Sequence, residues 1–319
     1  MIYNFDKSDP VKSVFLDVLK DNDIDYELVD RGRSVVRILG SMNPGTTEKL
    51  QEVYEGRRRL TIANRPADDV FTHFADQTCF KLIAGPCAVE SERQIADVVS
   101  YLRDKGVRYI RGGAYKPRTS PDSFQGMGEK GLRIISECAR EANLKVVSEV
   151  MDKSQIDVLC EYADVIQVGS RNMFNYTLLT ALGSVDKPVL LKRGMAATVD
   201  EWLKASEYVS WGGNDKIILC ERGIRTFETR TRNTLDIAAI HLAKKLSDYP
   251  VIADPSHAAG DRELVIPLAM AAVAAGADGI MVEIHPHPEA ALSDRHQALT
   301  FEQFDDLLGN LDSIHPLKL

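Results

Sequence analysis

Residues 249–286, YPVIADPSHAAGDRELVIPLAMAAVAAGADGIMVEIHP, contain one complete succession of strand, loop, helix and strand. The segment opens with a short apolar strand that ends near Asp254, and a loop with proline and glycine follows it. Residues 261–276 then have the apolar spacing of a helix, and residues 279–286 form a second short strand. Two short apolar strands joined by a helix are typical of a parallel βαβ unit. This stretch therefore predicts an α/β protein with a parallel sheet.

The same unit repeats toward the N-terminus as far as residue 80. The other strands are predicted at FKLIAG (80–85), RYIRGG (108–113), LKVVSEV (144–150), DVIQVGS (164–170), PVLLKRG (188–194) and KIILCERG (216–223). Helical segments follow, among them 91–105, 129–143, 198–208 and 233–246. Eight strand and helix units in residues 76–319 match the size and alternation of a (β/α)8 TIM barrel. A doubly wound sheet is the rival fold, but it normally has fewer strands and a switch point, of which the sequence gives no sign.

The first 65 residues have a different pattern. It consists of a strand at 1–5, a helix at 11–22, strands at 26–30 and 34–39, a helix at 46–55 and a strand at 58–64. The order β-α-β-β-α-β is that of the ferredoxin-like split βαβ fold. We therefore expect a small ferredoxin-like α+β domain over 1–65, a polar linker over 66–79 and the barrel over 80–319.

Composition narrows the class of function. The chain has 39 Lys and Arg against 47 Asp and Glu, a net charge of −8, which does not suit a general nucleic-acid binder. No apolar run approaches the ~18 residues of a membrane-spanning helix, and the start of the chain does not resemble a signal peptide. Five scattered cysteines without a CxxC pair argue against a disulfide framework. We therefore predict a cytoplasmic protein that binds neither nucleic acid nor membrane.

Charged side chains stand at nearly every predicted strand end. In a TIM barrel the C-terminal strand ends, with the loops after them, form the active-site face. Six cations come from five of these ends: Arg111, Lys116, Arg118, Arg171, Lys192 and Arg222. Arginine and lysine bind phosphate and carboxylate groups, so the barrel mouth is predicted to take anionic substrates. The alternative, internal ion pairs with Glu149 or Glu221, is expected for one or two of these cations.

A second group of side chains is suited to a metal ion. It consists of Cys87, His257, Glu283 and Asp294, which follow strands one, seven and eight of the barrel. These strands are neighbours once the barrel closes. A thiolate, an imidazole and two carboxylates suit a divalent Mn, Fe, Co or Zn ion better than Mg or Ca. Taken singly, each residue also has a structural explanation, because Cys87 could be a small buried apolar residue and His257 a turn residue. The metal hypothesis therefore depends on closure of the barrel.

Two motifs resemble binding sites for nucleotides or nucleic acids but have simpler structural interpretations. Residues 126–131, GMGEKG, fit the G-x-G-x-x-G pattern, but the preceding SPDSFQ is a polar loop and not the strand that a dinucleotide site requires. We interpret them as a loop that runs into the start of a helix. Arg57, Arg58 and Arg59 are three cations beside a strand on an acidic chain, so we expect a solvated surface and not a nucleic-acid patch.

The strand-end motifs resemble those of one enzyme family. They are AGPCAVES (84–91), RGGAYKPRTSPDSFQG (111–126), QVGSRN (167–172), LLKRG (190–194), ILCERGIRTFE (218–228), DPSHAAG (254–260) and VEIHPHPEAALSD (282–294). In this order they are similar to the 3-deoxy-D-arabino-heptulosonate 7-phosphate synthases, above all to type Iβ enzymes, in which a ferredoxin-like domain precedes the barrel. The related 3-deoxy-manno-octulosonate 8-phosphate synthases usually have Ala-Asn at the position of Pro117, so Pro117 favours the heptulosonate enzyme.

The resemblance implies a reaction and roles for the site residues. Phosphoenolpyruvate would condense with erythrose 4-phosphate and water and release phosphate, the entry step of aromatic amino-acid synthesis. The implied metal ligands are Cys87, His257, Glu283 and Asp294. The implied phosphoenolpyruvate contacts are Arg111, Lys116, Arg171, Lys192 and Arg222, and the implied aldose phosphate contacts are Arg118, Thr119 and Ser120. The expected catalytic residues are Lys116, as general acid–base, with Cys87 and His257.

The resemblance also implies regulation and assembly. Residues 1–65 would bind an aromatic end product, Tyr or Phe, within a homo-tetramer. The alternative is a domain that serves assembly only, because this segment has no diagnostic binding motif. Two rival reactions stay open: octulosonate synthesis from arabinose 5-phosphate, and Schiff-base aldol chemistry at Lys192. The neighbouring Arg193 and the metal ligands argue against the second.

Overall fold

The structure is a computed structural model that describes residues 2–5, 10–31, 33–39, 42–50, 53, 70–116 and 122–314. Its N-terminal part contains β1 (Ile2–Phe5), α1 (Pro10–Asp21), β2 (Tyr26–Arg31), β3 (Arg33–Ile38) and a helix, α2, at residues 44–50. The strands form an antiparallel sheet in the order β1-β3-β2. This is the order expected of the first three strands of a ferredoxin-like fold. The predicted strand at 58–64 and residues Arg57, Arg58 and Arg59 lie outside the described residues.

Eight parallel strands form the closed barrel that the sequence predicts. They are β4 (Lys81–Gly85), β5 (Tyr109–Arg111), β6 (Lys145–Val150), β7 (Val165–Val168), β8 (Val189–Lys192), β9 (Ile217–Glu221), β10 (Val251–Ala253) and β11 (Gly279–Glu283). Each strand pairs with the next along the chain, and β11 closes the sheet against β4, with Met281 opposite Ile83. This closure excludes the doubly wound sheet, which remains open at both edges.

Helices cover the outside of the barrel, except the first of them, which lies at one end. They are α3 (Val70–Ala75), α4 (Glu92–Asp104), α5 (Glu129–Glu141), α6 (Ile156–Tyr162), α7 (Tyr176–Leu182), α8 (Val199–Trp211), α9 (Ile237–Leu246), α10 (Pro255–Ala259), α11 (Val265–Ala274) and α12 (Phe301–Ile314). The G-x-G-x-x-G stretch is a loop that leads into α5, with Gly128 as its N-cap, as interpreted from the sequence. Among the described residues, no helix has both the length and the apolar character needed to cross a bilayer.

Helix α3 closes the lower end of the barrel. Its side chains Phe71 and Phe74 are buried against residues that fill the barrel interior, among them Ile83 and Tyr109. Residues 66–79 are predicted to be a polar linker, but α3 lies within this segment, at Val70–Ala75. The reason is that the open end of the barrel exposes apolar side chains, and two phenylalanines spaced one helical turn apart can cover them.

A histidine on α3 gives the barrel a testable pH dependence. His73 Nδ1 lies 2.9 Å from the Tyr109 hydroxyl, and burial, followed by the charges of Arg108 and Lys81, lowers the pKa of His73 to about 4. The unfolded chain takes up this proton near pH 6.5. The stability that neutral His73 contributes is therefore complete above pH 6.5 and is lost as the pH falls toward 4.

We expect His73→Gln to remove this dependence. Between pH 7 and pH 4.5, the free energy of unfolding of the wild type should fall by about 1–2 kcal/mol more than that of the variant, after allowance for partial exposure. Denaturant unfolding at both pH values measures the difference. The control is His241→Gln, on the exposed face of α9, which should follow the wild type. An equal decrease in the wild type and His73→Gln would contradict the prediction.

Candidate active site

Four potential metal ligands meet at the C-terminal mouth of the barrel. Cys87 follows β4, His257 lies in α10, Glu283 ends β11 and Asp294 lies in the loop after β11. One donor atom from each side chain lies within 4.8 Å of the donor atoms of the others. The thiol Sγ of Cys87 is 3.1 Å from Asp294 Oδ2, and Nε2 of His257 is 3.1 Å from Glu283 Oε1. The residues selected at the strand ends therefore form one compact cluster.

Glu283 is the most deeply buried carboxylate of the cluster. It is fully buried, and its Oε1 accepts a 2.6 Å bond from Arg111 Nη1, another buried group. Burial alone would raise the pKa of Glu283, but the neighbouring cations, Arg111 among them, hold that pKa below its ordinary value. Nε of Arg111 is also buried and has no hydrogen-bond partner among the described residues. A buried guanidinium with an unused donor is available to an anionic ligand.

His257 is oriented by the start of its own helix. Asp254 is the N-cap of α10; its Oδ1 accepts from the His257 backbone N–H at 3.0 Å, and its Oδ2 lies 2.7 Å from His257 Nδ1. Lys192 Nζ donates to the same Oδ2 atom. Burial lowers the pKa of His257 below its ordinary value, although Asp254 opposes this effect. Because Asp254 engages Nδ1, the other ring nitrogen, Nε2, is directed at the cluster.

Lys116 lies against Cys87. Its Nζ donates to the Cys87 carbonyl oxygen and to Cys87 Sγ, both at 3.1 Å. Burial and the Glu283 carboxylate raise the pKa of the thiol to about 12, against the opposing effect of Lys116. Burial would also lower the pKa of Lys116, but Cys87 and Glu149 outweigh it and raise that pKa. Lys116 is therefore a protonated, buried donor beside the cluster.

The cations surround a cavity of about 100 Å³ next to the cluster. Its lining includes Lys116, Arg171, Lys192 and Arg222, together with His257 and Asp294 from the cluster itself. Burial lowers the pKa of Arg222 from its usual high value, and its Nη2 donates to the His257 carbonyl oxygen at 3.1 Å. Arg171 is exposed at the rim. The cavity is thus a basic recess in an acidic chain, suited to a small anion.

Five of the six predicted cations surround this mouth. Arg111, Lys116, Arg171, Lys192 and Arg222 are described, whereas Arg118, Thr119 and Ser120 lie outside the described residues. Ion pairs of these cations with Glu149 or Glu221 were the alternative, but the observed partners are different acids. Arg111 pairs with Glu283, and Lys192 pairs with Asp254. Glu221 pairs with Arg193 at 2.8 Å, and Glu149 accepts from the Gln167 amide at 3.1 Å. The loop at Gly169 gives Glu149 room, because a Cβ there would lie 2.1 Å from Glu149 Oε1.

Three residues that contact the cluster have no role predicted from the sequence. Asp254 stands at a strand end, so its position could have indicated its contact with His257. Arg232 and Gln297 lie in loops away from the strand ends, without a motif that marks them. Arg232 Nη1 is 3.3 Å from Asp294 Oδ1, and Gln297 Nε2 is 2.7 Å from Glu283 Oε2. No local pattern in the sequence indicates these contacts.

Comparison with known proteins agrees with the fold and the motifs. The model of the DAHP synthetase I family matches residues 69–315. The chain belongs to this family. It is 52% identical to the phospho-2-dehydro-3-deoxyheptonate aldolase of Thermotoga maritima. The alignment spans 235 residues, which cover 74% of this chain and 70% of the relative. A 2-dehydro-3-deoxyphosphooctonate aldolase of Syntrophobacter fumaroxidans is 33% identical over 254 residues, 74% of this chain and 87% of the relative.

Two solved structures of Thermotoga maritima proteins are also similar. A DAHP synthase is 39% identical, with a TM-score of 0.74 over 98% of this chain and 96% of that chain. A truncated form of 3-deoxy-D-arabino-heptulosonate 7-phosphate synthase is 48% identical, with a TM-score of 0.70 over 74% of this chain and 87% of that chain. The resemblance seen in the strand-end motifs is thereby confirmed, and the chain is an enzyme of the DAHP synthase type.

Proposed function

We propose that this DAHP synthetase family member condenses phosphoenolpyruvate with erythrose 4-phosphate and water to give 3-deoxy-D-arabino-heptulosonate 7-phosphate and phosphate. The observation that carries the proposal is the cation-lined cavity directly beside the Cys87, His257, Glu283 and Asp294 cluster. Two anionic substrates repel each other in a low-dielectric site unless fixed cations neutralise them. The 52% identity to the heptonate aldolase supports this reaction over the octonate one.

The cations have distinct places around the proposed substrate. Arg111, Lys116, Lys192 and Arg222 are buried and would hold the phosphate and carboxylate of phosphoenolpyruvate, with Arg171 at the rim. Arg118, Thr119 and Ser120 remain our proposal for the aldose phosphate. Because the buried cations are already fixed by Glu283, Asp254 and backbone carbonyls, little side-chain entropy is lost on binding.

The donor cluster fits a divalent ion, Mn, Fe, Co or Zn. A thiol, an imidazole nitrogen and two carboxylates converge within 4.8 Å, which is the mixed donor set that such ions accept. When bound, the ion supplies a Lewis acid for the aldehyde oxygen. The Cys87 thiol would lose its proton as a ligand, and the Nζ of Lys116, 3.1 Å from Sγ, would stabilise the thiolate.

The remaining chemistry can be assigned to residues of the chain. Carbon 3 of phosphoenolpyruvate forms a bond to the aldehyde carbon of erythrose 4-phosphate, and the aldehyde oxygen takes up a proton. Lys116, held protonated beside the cavity, is our proposal for this general acid. The oxygen of water bonds to carbon 2, and the bond from carbon 2 to the phosphate oxygen breaks. Of the two protons of that water, one returns to the Lys116 amine and the other leaves with phosphate. Phosphate leaves in a basic cavity that stabilises its charge.

One assay tests the reaction. Phosphate release from phosphoenolpyruvate should require erythrose 4-phosphate, stop after exhaustive chelation and return with Mn²⁺. Higher kcat/KM with arabinose 5-phosphate would instead assign the octulosonate reaction, and full activity after chelation would contradict the metal dependence. Borohydride treatment with substrate should trap no adduct at Lys192, because its amine is engaged by Asp254. A trapped adduct would favour the Schiff-base aldolase.

Regulation by the N-terminal part is a further element of the proposal. We infer that Tyr or Phe binds to the ferredoxin-like module and inhibits a homo-tetramer, against the alternative of a domain used for assembly only. Inhibition assays with the full-length enzyme test it, and a chain that starts at residue 66 retains α3 and should be insensitive. Absence of inhibition of the full-length enzyme by either amino acid would refute the regulatory role. Light scattering measures the number of subunits in the assembly. The cytoplasmic location stays a prediction.

A further inference from the structure

Arg232 and Gln297 connect the two carboxylates of the donor cluster. Gln297 Nε2 donates to Glu283 Oε2 at 2.7 Å, and Gln297 Oε1 accepts from Arg232 Nη1 at 2.9 Å. The same Nη1 atom lies 3.3 Å from Asp294 Oδ1. A continuous path of hydrogen bonds therefore runs from one carboxylate to the other around the outside of the cluster.

The chemistry of the path fixes its direction. A carboxylate can only accept and a guanidinium can only donate, so the Gln297 amide has one orientation, with its nitrogen at Glu283 and its oxygen at Arg232. Gln297 is only 2% exposed, so solvent does not compete for these bonds. An amide with both ends engaged by charged groups is a firm support for Glu283.

The pair engages the carboxylate oxygens that point away from the cluster. Glu283 Oε1 lies 3.1 Å from His257 Nε2, whereas Oε2 is the atom bonded to Gln297. Asp294 Oδ2 lies 3.1 Å from Cys87 Sγ, whereas Oδ1 is the atom facing Arg232. One oxygen of each carboxylate is thus left directed at the space between the four donors.

The backbone holds the pair in place from two loops. Asp294 has a φ of 51°, in the left-handed region that is unusual for a residue other than glycine. The Gln297 N–H donates to the Asp294 carbonyl oxygen at 3.1 Å, and the Arg232 N–H donates to Ala259 at the end of α10 at 3.0 Å. A strained Asp294 backbone persists only where surrounding contacts fix it.

We propose that Arg232 and Gln297 are positioning residues that hold Glu283 and Asp294 at the spacing a divalent ion requires. The inference rests on the metal site of the proposed function. Hydrogen-bonding partners of this kind orient metal ligands, and their loss typically weakens metal binding 10–100-fold. Arg232 also lines the cation-lined cavity, so the test has to separate support of the two carboxylates from contact with the substrate.

The test is a titration of the chelated full-length protein with Co²⁺. The dissociation constant is measured together with the visible bands, which report ligand geometry, and the thiolate charge-transfer band, which reports Cys87. We expect Arg232→Met and Gln297→Met each to weaken Co²⁺ binding about 10–100-fold and to shift the visible bands. Arg232→Lys, which keeps a donor for Asp294, should recover part of the affinity. The double variant should lose less than the two single losses combined, because the residues act through one path.

Arg230→Met is the matched control. Arg230 lies two residues away, is exposed and lines the adjacent surface cavity, so wild-type Co²⁺ binding is expected. The Arg232 side chain is 39% exposed, so its replacement leaves no buried void and should retain the fold, which thermal unfolding checks. Wild-type affinity and spectra in both methionine variants would overturn the proposal, as would an increased KM for erythrose 4-phosphate with unchanged Co²⁺ binding. Absence of Co²⁺ binding by the wild type would refute the metal site itself.

Discussion

Replacement of Glu283 by Gln is expected to lower the affinity for a divalent ion, and with it kcat/KM, by more than about 100-fold, the upper limit for a residue that merely supports a ligand. Glu283 is in contact with His257, Arg111 and Gln297. The amide removes the negative charge that the buried Arg111 guanidinium faces. Because a buried cation then lacks its counter-charge, the free energy of unfolding of the chelated protein should also fall by about 3 kcal/mol.

Three measurements test these effects. Metal analysis gives the bound Mn²⁺, phosphate release gives kcat/KM, and denaturant unfolding gives the stability. Glu289→Gln is the matched control, since Glu289 lies six residues further along the chain, in the loop after β11, is 82% exposed and pairs with Arg262 at 3.2 Å. An exposed pair of this kind contributes less than about 1 kcal/mol. If Glu283→Gln binds Mn²⁺ as tightly as the wild type, Glu283 is not a ligand.

Replacement of Lys192 by Met is expected to lower kcat/KM by about 10³-fold, the effect of removing one fixed donor from an anion-stabilising site. Lys192 is buried beside the cavity and donates to Asp254 Oδ2, the same atom that orients His257 Nδ1. Its loss removes a positive charge from the proposed phosphoenolpyruvate site. It also leaves Asp254 with one cation fewer, so the position of His257 is less firmly fixed.

Lys192→Arg separates charge from nucleophilicity. A guanidinium keeps the charge but cannot form a Schiff base, so partial activity of this variant would support an electrostatic role. The matched control is Lys216→Met. Lys216 precedes β9 and also pairs with an aspartate, Asp186, at 2.8 Å, but this pair is far more exposed than the pair of Lys192 with Asp254. Steady-state kinetics of the three variants measure the effect. Wild-type kcat/KM in Lys192→Met would remove Lys192 from the site.

The barrel and most of its mouth could be predicted from local patterns. Every predicted strand from residue 80 onward is a strand of the closed barrel, because alternating apolar runs and turn residues act over a few neighbouring positions. The donor cluster was also predictable, since parallel strands place their C-terminal ends on one side and Cys87, His257, Glu283 and Asp294 follow strands that adjoin after closure. Position along the chain was sufficient for both inferences.

Pairing among the charged residues could not be predicted in this way. Lys192 and Arg193 are consecutive, yet Lys192 reaches Asp254 and the cavity while Arg193 reaches Glu221 and Asp236. Successive side chains on a strand point to opposite faces, but the acid that each one meets lies 28 to 62 residues further along the chain. The same limitation applies to α3, whose two phenylalanines have no apparent role until the lower end of the barrel is formed.

The sequence by itself therefore determined the barrel, the acidic balance of the chain, the basic mouth and the identity of the four potential ligands, because each depends on short-range pattern or on composition. Only the tertiary structure decided that α3 covers the barrel floor, that Lys192 and His257 share Asp254, and that Arg232 and Gln297 support Glu283 and Asp294. These contacts join residues from separate loops and strands. Their distances are set by closure of the barrel, a property of all eight strands together that no local segment contains.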